Sequence, residues 1–230
     1  MQTAMVTRNP AQAFPFPVFA KAGSALVAER FLGRPLRLAR GAEIYAEGSP
    51  IETLFEVVSG TVRTRRLLPD GRRCIASFAL PGEVFGLDGT GRHRFSAEAV
   101  TEAVVIAFAR KDIEDCIGRE PRAAHSWQAF TLRHLEAAQD RCILLGRRSA
   151  AERVASFLAD LADRGQHGPH LLDLPMSRYD IADYLGLTAE TVSRTLSALR
   201  RRRLIADGAN HQIHILDRDA LDEQAGEGDA

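Results

Sequence analysis

The chain has 230 residues, enough for one large or two modest domains, since single domains cluster near ~100–150 residues. Hydrophobic residues make up 45% and charged residues 26%, which excludes global disorder, and the longest apolar runs, such as residues 104–109, are far shorter than the ~20 residues of a membrane span. Thirty basic residues against thirty acidic ones give zero net charge, which excludes a uniformly basic chain but leaves room for a local basic face.

Residues 1–23 carry Pro10, Pro15 and Pro17 without periodicity and read as an irregular arm. They contain no continuous apolar stretch, so we expect no signal peptide and a cytoplasmic setting. The next segment, 24–118, has a β texture: short apolar or alternating runs at 44–45, 54–58, 61–67, 74–78, 95–100 and 104–108, punctuated by Gly41, Gly48, Gly60, Gly71, Gly82 and Gly86. Pro69-Asp70-Gly71 supplies a hairpin turn, because proline presets φ and glycine accepts positive φ. Many short strands at this spacing predict a small antiparallel barrel or sandwich.

Helical texture begins after Lys111. Residues 119–146 hold no proline after Pro121 and no glycine from 122 to 145, enough for a helix of about 40 Å at ~1.5 Å per residue. Thr131, Leu135, Ala138, Cys142 and Leu145 recur in steps of four and three, a heptad seam that fits a dimer axis, with Glu136 and Asp140 beside it. Trp127 and Phe130 lie off the seam, on a face expected to pack on the β-domain. The alternative is a core helix packed only within its own chain, but two distinct apolar faces favour the dimer.

The last segment, 147–230, opens with Ser149 and Glu152 as a capping box, followed by an amphipathic helix over 150–164 with Val154, Phe157, Leu158 and Leu161 on one face. A short strand is expected over 171–175, a hairpin over 207–216, and an acidic, frayed tail over 222–230. Between the strand and the hairpin, residues 176–203 read as helix, tight turn, helix. Ala182 is small where the helices would cross, Gly186 permits the turn, and Ile181, Leu185, Leu187 and Val192 are spaced to bury the inner faces. Thr188 is a good N-cap for the second helix. Glu190, Ser193 and Arg194 then share one face near its N-terminus, where a recognition helix reaches base edges in the major groove. Arginine suits guanine, glutamate suits cytosine N4, and serine suits either. Thr188, Thr191, Arg200 and Arg201 are the expected contacts to the DNA backbone. Residues 188–203 carry Arg194, Arg200, Arg201, Arg202 and Arg203 against one acid, Glu190, a local charge of +4.

Together, 151–161 and the run Asp180-Ile181-Ala182-Asp183-Tyr184-Leu185-Gly186-Leu187-Thr188-Ala189-Glu190-Thr191-Val192-Ser193-Arg194 resemble the Crp/Fnr superfamily of bacterial transcription regulators, and Glu-x-x-Ser-Arg points to its Fnr/FixK branch. Pro81-Gly82-Glu83-Val84-Phe85-Gly86-Leu87 is similar to the roll of that family, and the resemblance covers roughly residues 30–220. It implies an α+β chain: an N-terminal cyclic-nucleotide-binding-like β-roll, a long dimerisation helix, and a C-terminal winged helix-turn-helix. It also implies a homodimer on a palindrome like TTGAT-N4-ATCAA and contact with RNA polymerase, for which the hairpin residues Leu68, Asp70, Gly71 and Arg72 are candidates. Thr195 departs from the pattern where an aliphatic residue is usual, which predicts a slightly looser core.

No cofactor is expected. Cyclic-AMP-binding relatives place Gly-Glu and a later Arg-Ser/Thr around the phosphate, whereas this chain has Gly82-Glu83 and then Arg92-His93-Arg94-Phe95-Ser96, so Glu83 and Arg94 form a displaced pocket or are merely surface charges. Iron–sulfur relatives bind their cluster through N-terminal cysteines and one in the roll; this arm has none, and Ile106 takes the roll position. The three cysteines, Cys74, Cys116 and Cys142, form no CxxC and read as free thiols, Cys142 being the one that could pair across the seam. His211-x-x-His214 would face opposite sides of a strand, so no metal site is expected. No HExxH, GxSxG, GxGxxG or Walker motif points to an enzyme. The remaining alternatives are a regulator gated by a small molecule or haem, and a ligand-binding roll whose helix-turn-helix serves only protein contacts.

Overall fold

The computed structural model describes residues 33–147, 149–165 and 167–226; the arm expected over 1–23 lies outside them. Eight strands open the described chain: β1 (Arg34–Leu38), β2 (Glu43–Tyr45), β3 (Thr53–Ser59), β4 (Val62–Leu67), β5 (Arg73–Ala79), β6 (Val84–Phe85), β7 (Ser96–Ala99) and β8 (Ala103–Ala109). They form two antiparallel four-stranded sheets, ordered β1-β8-β3-β6 and β2-β7-β4-β5. Strand alternation sorts their side chains by face. Phe55 and Val57 of β3 and Val105 of β8 turn between the sheets to meet Tyr45, Val62, Phe85 and Ala97. Leu54 and Phe108 turn outward, against helices α1 (Arg110–Arg119) and α2 (Pro121–Arg147). Phe130 is buried in that outer cluster and Trp127 packs beside it, so one face of α2 is spent on the roll. Gly60 joins β3 to β4 at φ +81, and a Cβ there would lie 2.3 Å from the Glu102 carbonyl oxygen, so the corner needs glycine on both counts.

Glu56 shares the outward face of β3 with Leu54 and is only 8% exposed. Burial pushes its carboxyl up to about 7. A carboxyl that protonates more readily folded than unfolded gives the native state full stability below pH ~4.5. That stability falls as pH climbs from there through ~7, by about 3 kcal/mol at most. Glu56→Gln removes the titration. Urea denaturation should show the variant gaining on the wild type by up to about 3 kcal/mol more at pH 8 than at pH 4; parallel pH profiles would mean that Glu56 titrates normally.

After α2 come α3 (Ala150–Arg164), β9 (Leu171–Asp173), α4 (Arg178–Leu185), α5 (Ala189–Arg201), β10 (Ile205–Asp207), β11 (Gln212–Ile215) and α6 (Arg218–Ala225). The three strands form one antiparallel sheet ordered β10-β11-β9, a wing beside the α4–α5 pair. The Ser149–Glu152 capping box is present at the start of α3. The core of this unit, built on Val154, Leu158, Leu161, Leu185, Leu196 and Ile213, is continuous with Ile75, Phe78, Leu80 and Val100 of the roll. Phe78 packs against Phe157 and Tyr184 with ring centroids 6.1 and 5.2 Å apart, so the two units share one apolar interior. No helix among the described residues is long and apolar enough to cross a membrane.

Candidate nucleic-acid interface

Local chemistry sets both helices of the α4–α5 pair. Ser177 caps α4 by accepting from the Asp180 backbone N–H at 3.1 Å, and Asp180 reaches back to the Ser177 N–H. Gly186 ends α4 in the left-handed region at φ 63, its N–H returning to the Ala182 carbonyl, and the Leu187 N–H bonds the same carbonyl at 3.0 Å. Thr188 then caps α5, its hydroxyl oxygen accepting from the Thr191 N–H at 3.2 Å. Val192, Leu196 and Leu199 bury the inner face of α5. The buried aliphatic residue at this point is therefore Leu196, one residue on from the half-buried Thr195.

The outer face of α5 holds Glu190, Ser193 and Arg194, all exposed. The Ser193 hydroxyl donates to the Ala189 carbonyl at 2.8 Å, leaving its oxygen lone pairs outward. Hydrogen bonds from its own backbone N–H and from the Thr188 hydroxyl, with Arg194 nearby, hold the Glu190 carboxyl below the usual carboxylate range. The face thus offers an ionised acceptor, a hydroxyl and a guanidinium side by side.

The arginine run beyond it divides by role. Arg200 donates from Nε and Nη2 to Asp207 of β10 at 2.9 and 2.7 Å, so its guanidinium is held within the winged unit. Arg202 bonds the Gln224 side chain, and Arg203 takes the left-handed conformation at φ 59 that ends the helix. Arg201 is exposed and forms no ion pair among the described residues. Sequence reasoning passed over Arg178, in the first turn of α4. It is half-buried, and burial together with Arg200 lowers its proton affinity. Its place directly after a serine N-cap was the available signal. It lines a cleft of about 650 Å³ with Arg40, Glu102, Met176, Asp207 and His211, between the wing and the roll. His211 lies in the turn at φ 64 and only His214 is in β11, so the pair is not a strand pair as expected. Among the described residues, no group of three or more His, Cys, Asp or Glu is placed to hold a metal ion.

Beyond Phe130, helix α2 turns away from the roll until Arg141, which reaches back to the carbonyls of β5. Residues 131–140 are all exposed, Leu135 by 52%. Thr131, Ala138 and Cys142 share that exposure while Leu145 is half-buried, and Leu132 and Ile143 widen the stripe. Leu68, Asp70, Gly71 and Arg72 sit at the tip of the β4–β5 hairpin, where the Leu68 N–H bonds the Arg72 carbonyl at 2.8 Å and Asp70 pairs with Arg72. Glu83 faces α3: Arg164 donates to its two oxygens at 2.8 Å each, and the Leu80 N–H adds a third bond. Arg94 is exposed on the loop after Asp88, so Glu83 is spent on the winged unit and not on a pocket with Arg94.

Two family descriptions match this chain: a cyclic nucleotide-binding domain over residues 35–120 and a Crp-like helix-turn-helix domain over residues 152–224. The chain is 43% identical over 194 residues to the nitrogen fixation regulation protein FixK of Azorhizobium caulinodans, covering 83% of this chain and 78% of that protein. It is 38% identical over 200 residues to the transcriptional activatory protein AadR of Rhodopseudomonas palustris, covering 84% and 82%. The solved structure of FixK2 from Bradyrhizobium japonicum superposes with a TM-score of 0.80 at 40% identity, covering 86% of this chain and 98% of that one.

Proposed function

Because the chain belongs to the Crp/Fnr superfamily of transcription regulators, in its FixK branch, we propose that it activates transcription by binding a palindrome of the TTGAT-N4-ATCAA kind as a homodimer. The observation that carries this reading is the exposed Glu190–Ser193–Arg194 face on a capped helix whose other side is buried. Arg194 reads a guanine and Glu190 a cytosine in each half-site. Thr188, Thr191, Arg201 and Arg178, the last forming no ion pair among the described residues, bind phosphates, with Arg200 held in reserve by Asp207. The dimer forms along the exposed stripe of α2, through Thr131, Leu135, Ala138, Cys142 and Leu145. The exposed hairpin tip, from Leu68 to Arg72, is the surface offered to RNA polymerase. A DNA target places the protein in the cytoplasm.

We read the regulator as independent of cyclic nucleotide and of an iron–sulfur cluster. Two observations support this. The space between the roll's sheets is filled by Tyr45, Phe55 and Phe85, stacked at centroid distances of 5.3–6.2 Å, with His93 stacked on Tyr45 at 3.6 Å. The contacts that hold α4 on the roll are made by the chain's own side chains, Arg63 of β4 and Arg73 of β5 both donating to Asp180 of α4. The competing reading, an effector-gated sensor, requires a ligand before specific binding.

Fluorescence anisotropy of the purified protein on the palindrome and on a scrambled duplex, at ~150 mM salt, separates the two. A preference of ~10³ or more without ligand supports the proposal, and no preference overturns it. Arg194→Ala should cost about 1–3 kcal/mol of discrimination at one guanine per half-site. Arg201→Ala should weaken all sequences alike and lower the salt slope by about one. Equal flattening of specificity by both variants would refute this division of roles.

A further inference from the structure

The helix-turn-helix is fastened to the rest of the chain by charge at three places. On the roll side, Arg63 of β4 and Arg73 of β5 both donate to Asp180 Oδ1, at 2.7 and 2.6 Å. Arg73 also holds Asp183 at 2.7 Å. Asp180 is only 4% exposed and is divided between two tasks, because its Oδ2 accepts from the Ser177 N–H and hydroxyl at 3.2 and 2.9 Å. Glu98 of β7 supports the pair from behind, accepting from both Arg63 and Arg65.

On the dimer-helix side, Arg141 of α2 donates to the Ile75 and Ala76 carbonyls of β5 and to the Tyr184 carbonyl of α4. Its guanidinium lies 3.9 Å from the centre of the Tyr184 ring. At the far end, Arg153 of α3 joins the last turns of two helices by donating to the Leu145 carbonyl of α2 at 2.7 Å and the Leu185 carbonyl of α4 at 3.0 Å. Apolar packing alone tolerates sliding. Arginine donors committed to particular oxygens do not, since a small displacement leaves buried charges and carbonyls unpaired.

Resting on the reading that the chain is a dimer on a palindrome, we propose that Arg63, Arg73 and Arg141 set the half-site spacing the protein accepts. They are positioning residues: they touch no DNA and act through α4 on α5. One base pair added to the spacer moves the second half-site by about 3.4 Å along the duplex and about 35° around it. A frame in which the dimer helix, the roll and α4 are tied together cannot follow that movement. A frame with the ties cut can.

The experiment is anisotropy on TTGAT-Nn-ATCAA duplexes with spacers of 3, 4 and 5 base pairs, for the wild type, Arg63→Ala/Arg73→Ala, Arg141→Ala and the milder Asp183→Asn. Circular dichroism and sedimentation confirm fold and dimer for each. The wild type should prefer one spacer by about tenfold or more, a binding difference of about 1.4 kcal/mol. Each variant leaves the other ties and Arg153 in place, so the double variant and Arg141→Ala should each narrow the spread among the three spacers by about threefold, and Asp183→Asn should move the same way by less. The penalty for a base change inside one half-site should be unchanged in every variant, which a general loss of structure would not allow. Retention of the wild-type spacer profile by the folded variants overturns the proposal alone. A wild type that prefers none of these duplexes over a scrambled one overturns the operator reading and this inference with it.

Discussion

Leu135→Glu should turn the protein into a monomer at micromolar concentration and cut its affinity for the full palindrome by about 10²–10⁴. In the single chain Leu135 is 52% exposed and Ile143 57%, amid a helix whose residues 131–140 all face solvent. Large apolar side chains in a continuous exposed stripe mark a surface meant to be covered. A two-fold axis would bring each Leu135 to the other copy, so one substitution places two carboxylates in the seam, where like charges repel and are stripped of water. The affinity loss follows from valency. The second half-site binds intramolecularly only while the two copies are joined, and its contribution vanishes when they separate. Sedimentation velocity reads the first effect and anisotropy the second. A variant that still sediments as a dimer places the interface elsewhere.

Asp180→Ala should cost about 3–5 kcal/mol of stability, the range for removing one member of a buried charge cluster. The aspartate is 4% exposed and accepts from Arg63, Arg73 and Ser177. Removing it leaves Arg63 with Glu98 alone and Arg73 with Asp183 alone, and takes away one end of the α4 capping box at the same time. Asp180→Asn should cost less, because the amide oxygen still accepts one of these bonds. Urea denaturation followed by circular dichroism measures both. A loss below about 1 kcal/mol for the alanine variant would reduce the cluster to the level of an ordinary surface ion pair.

What could be read from the sequence tracks how local the responsible physics is. The α4–turn–α5 unit was legible because its signals lie within a few residues of one another: Gly186 for the turn, Thr188 for the cap, and Ile181, Leu185 and Val192 for the buried face. The length of α2 and its division into a face for the roll, carrying Trp127 and Phe130, and an exposed seam followed from periodicity. The expectation at Thr195 rests on the motif's pattern and falls one residue before the buried aliphatic, Leu196. Arg63, Arg73 and Asp180 were invisible for a different reason: more than a hundred positions separate the arginines from the acid, and no periodicity links them. Arg141 stands beside Cys142, just off the seam, and reads in isolation as a solvated charge. Glu83 was noticed as part of a glycine-rich motif, but its partner Arg164 belongs to a helix that the motif does not predict. Serine followed three positions later by an acid marks Ser149 and Ser177 alike, and the same reciprocal capping starts both helices.

The shared interior of roll and winged unit also bears on how the chain is made. Ile75, Phe78 and Leu80 complete a core whose other half runs from Val154 to Ala225, and its first helix, α3, is finished at Arg164, roughly eighty residues after Leu80. At ~5–20 residues per second, the nascent roll leaves the ribosome with this apolar side uncovered for about 4–16 s before the covering helix exists. During that interval the uncovered apolar side lies beside Arg63, already paired with Glu98 of the roll, and Arg73, whose partners Asp180 and Asp183 are still unmade.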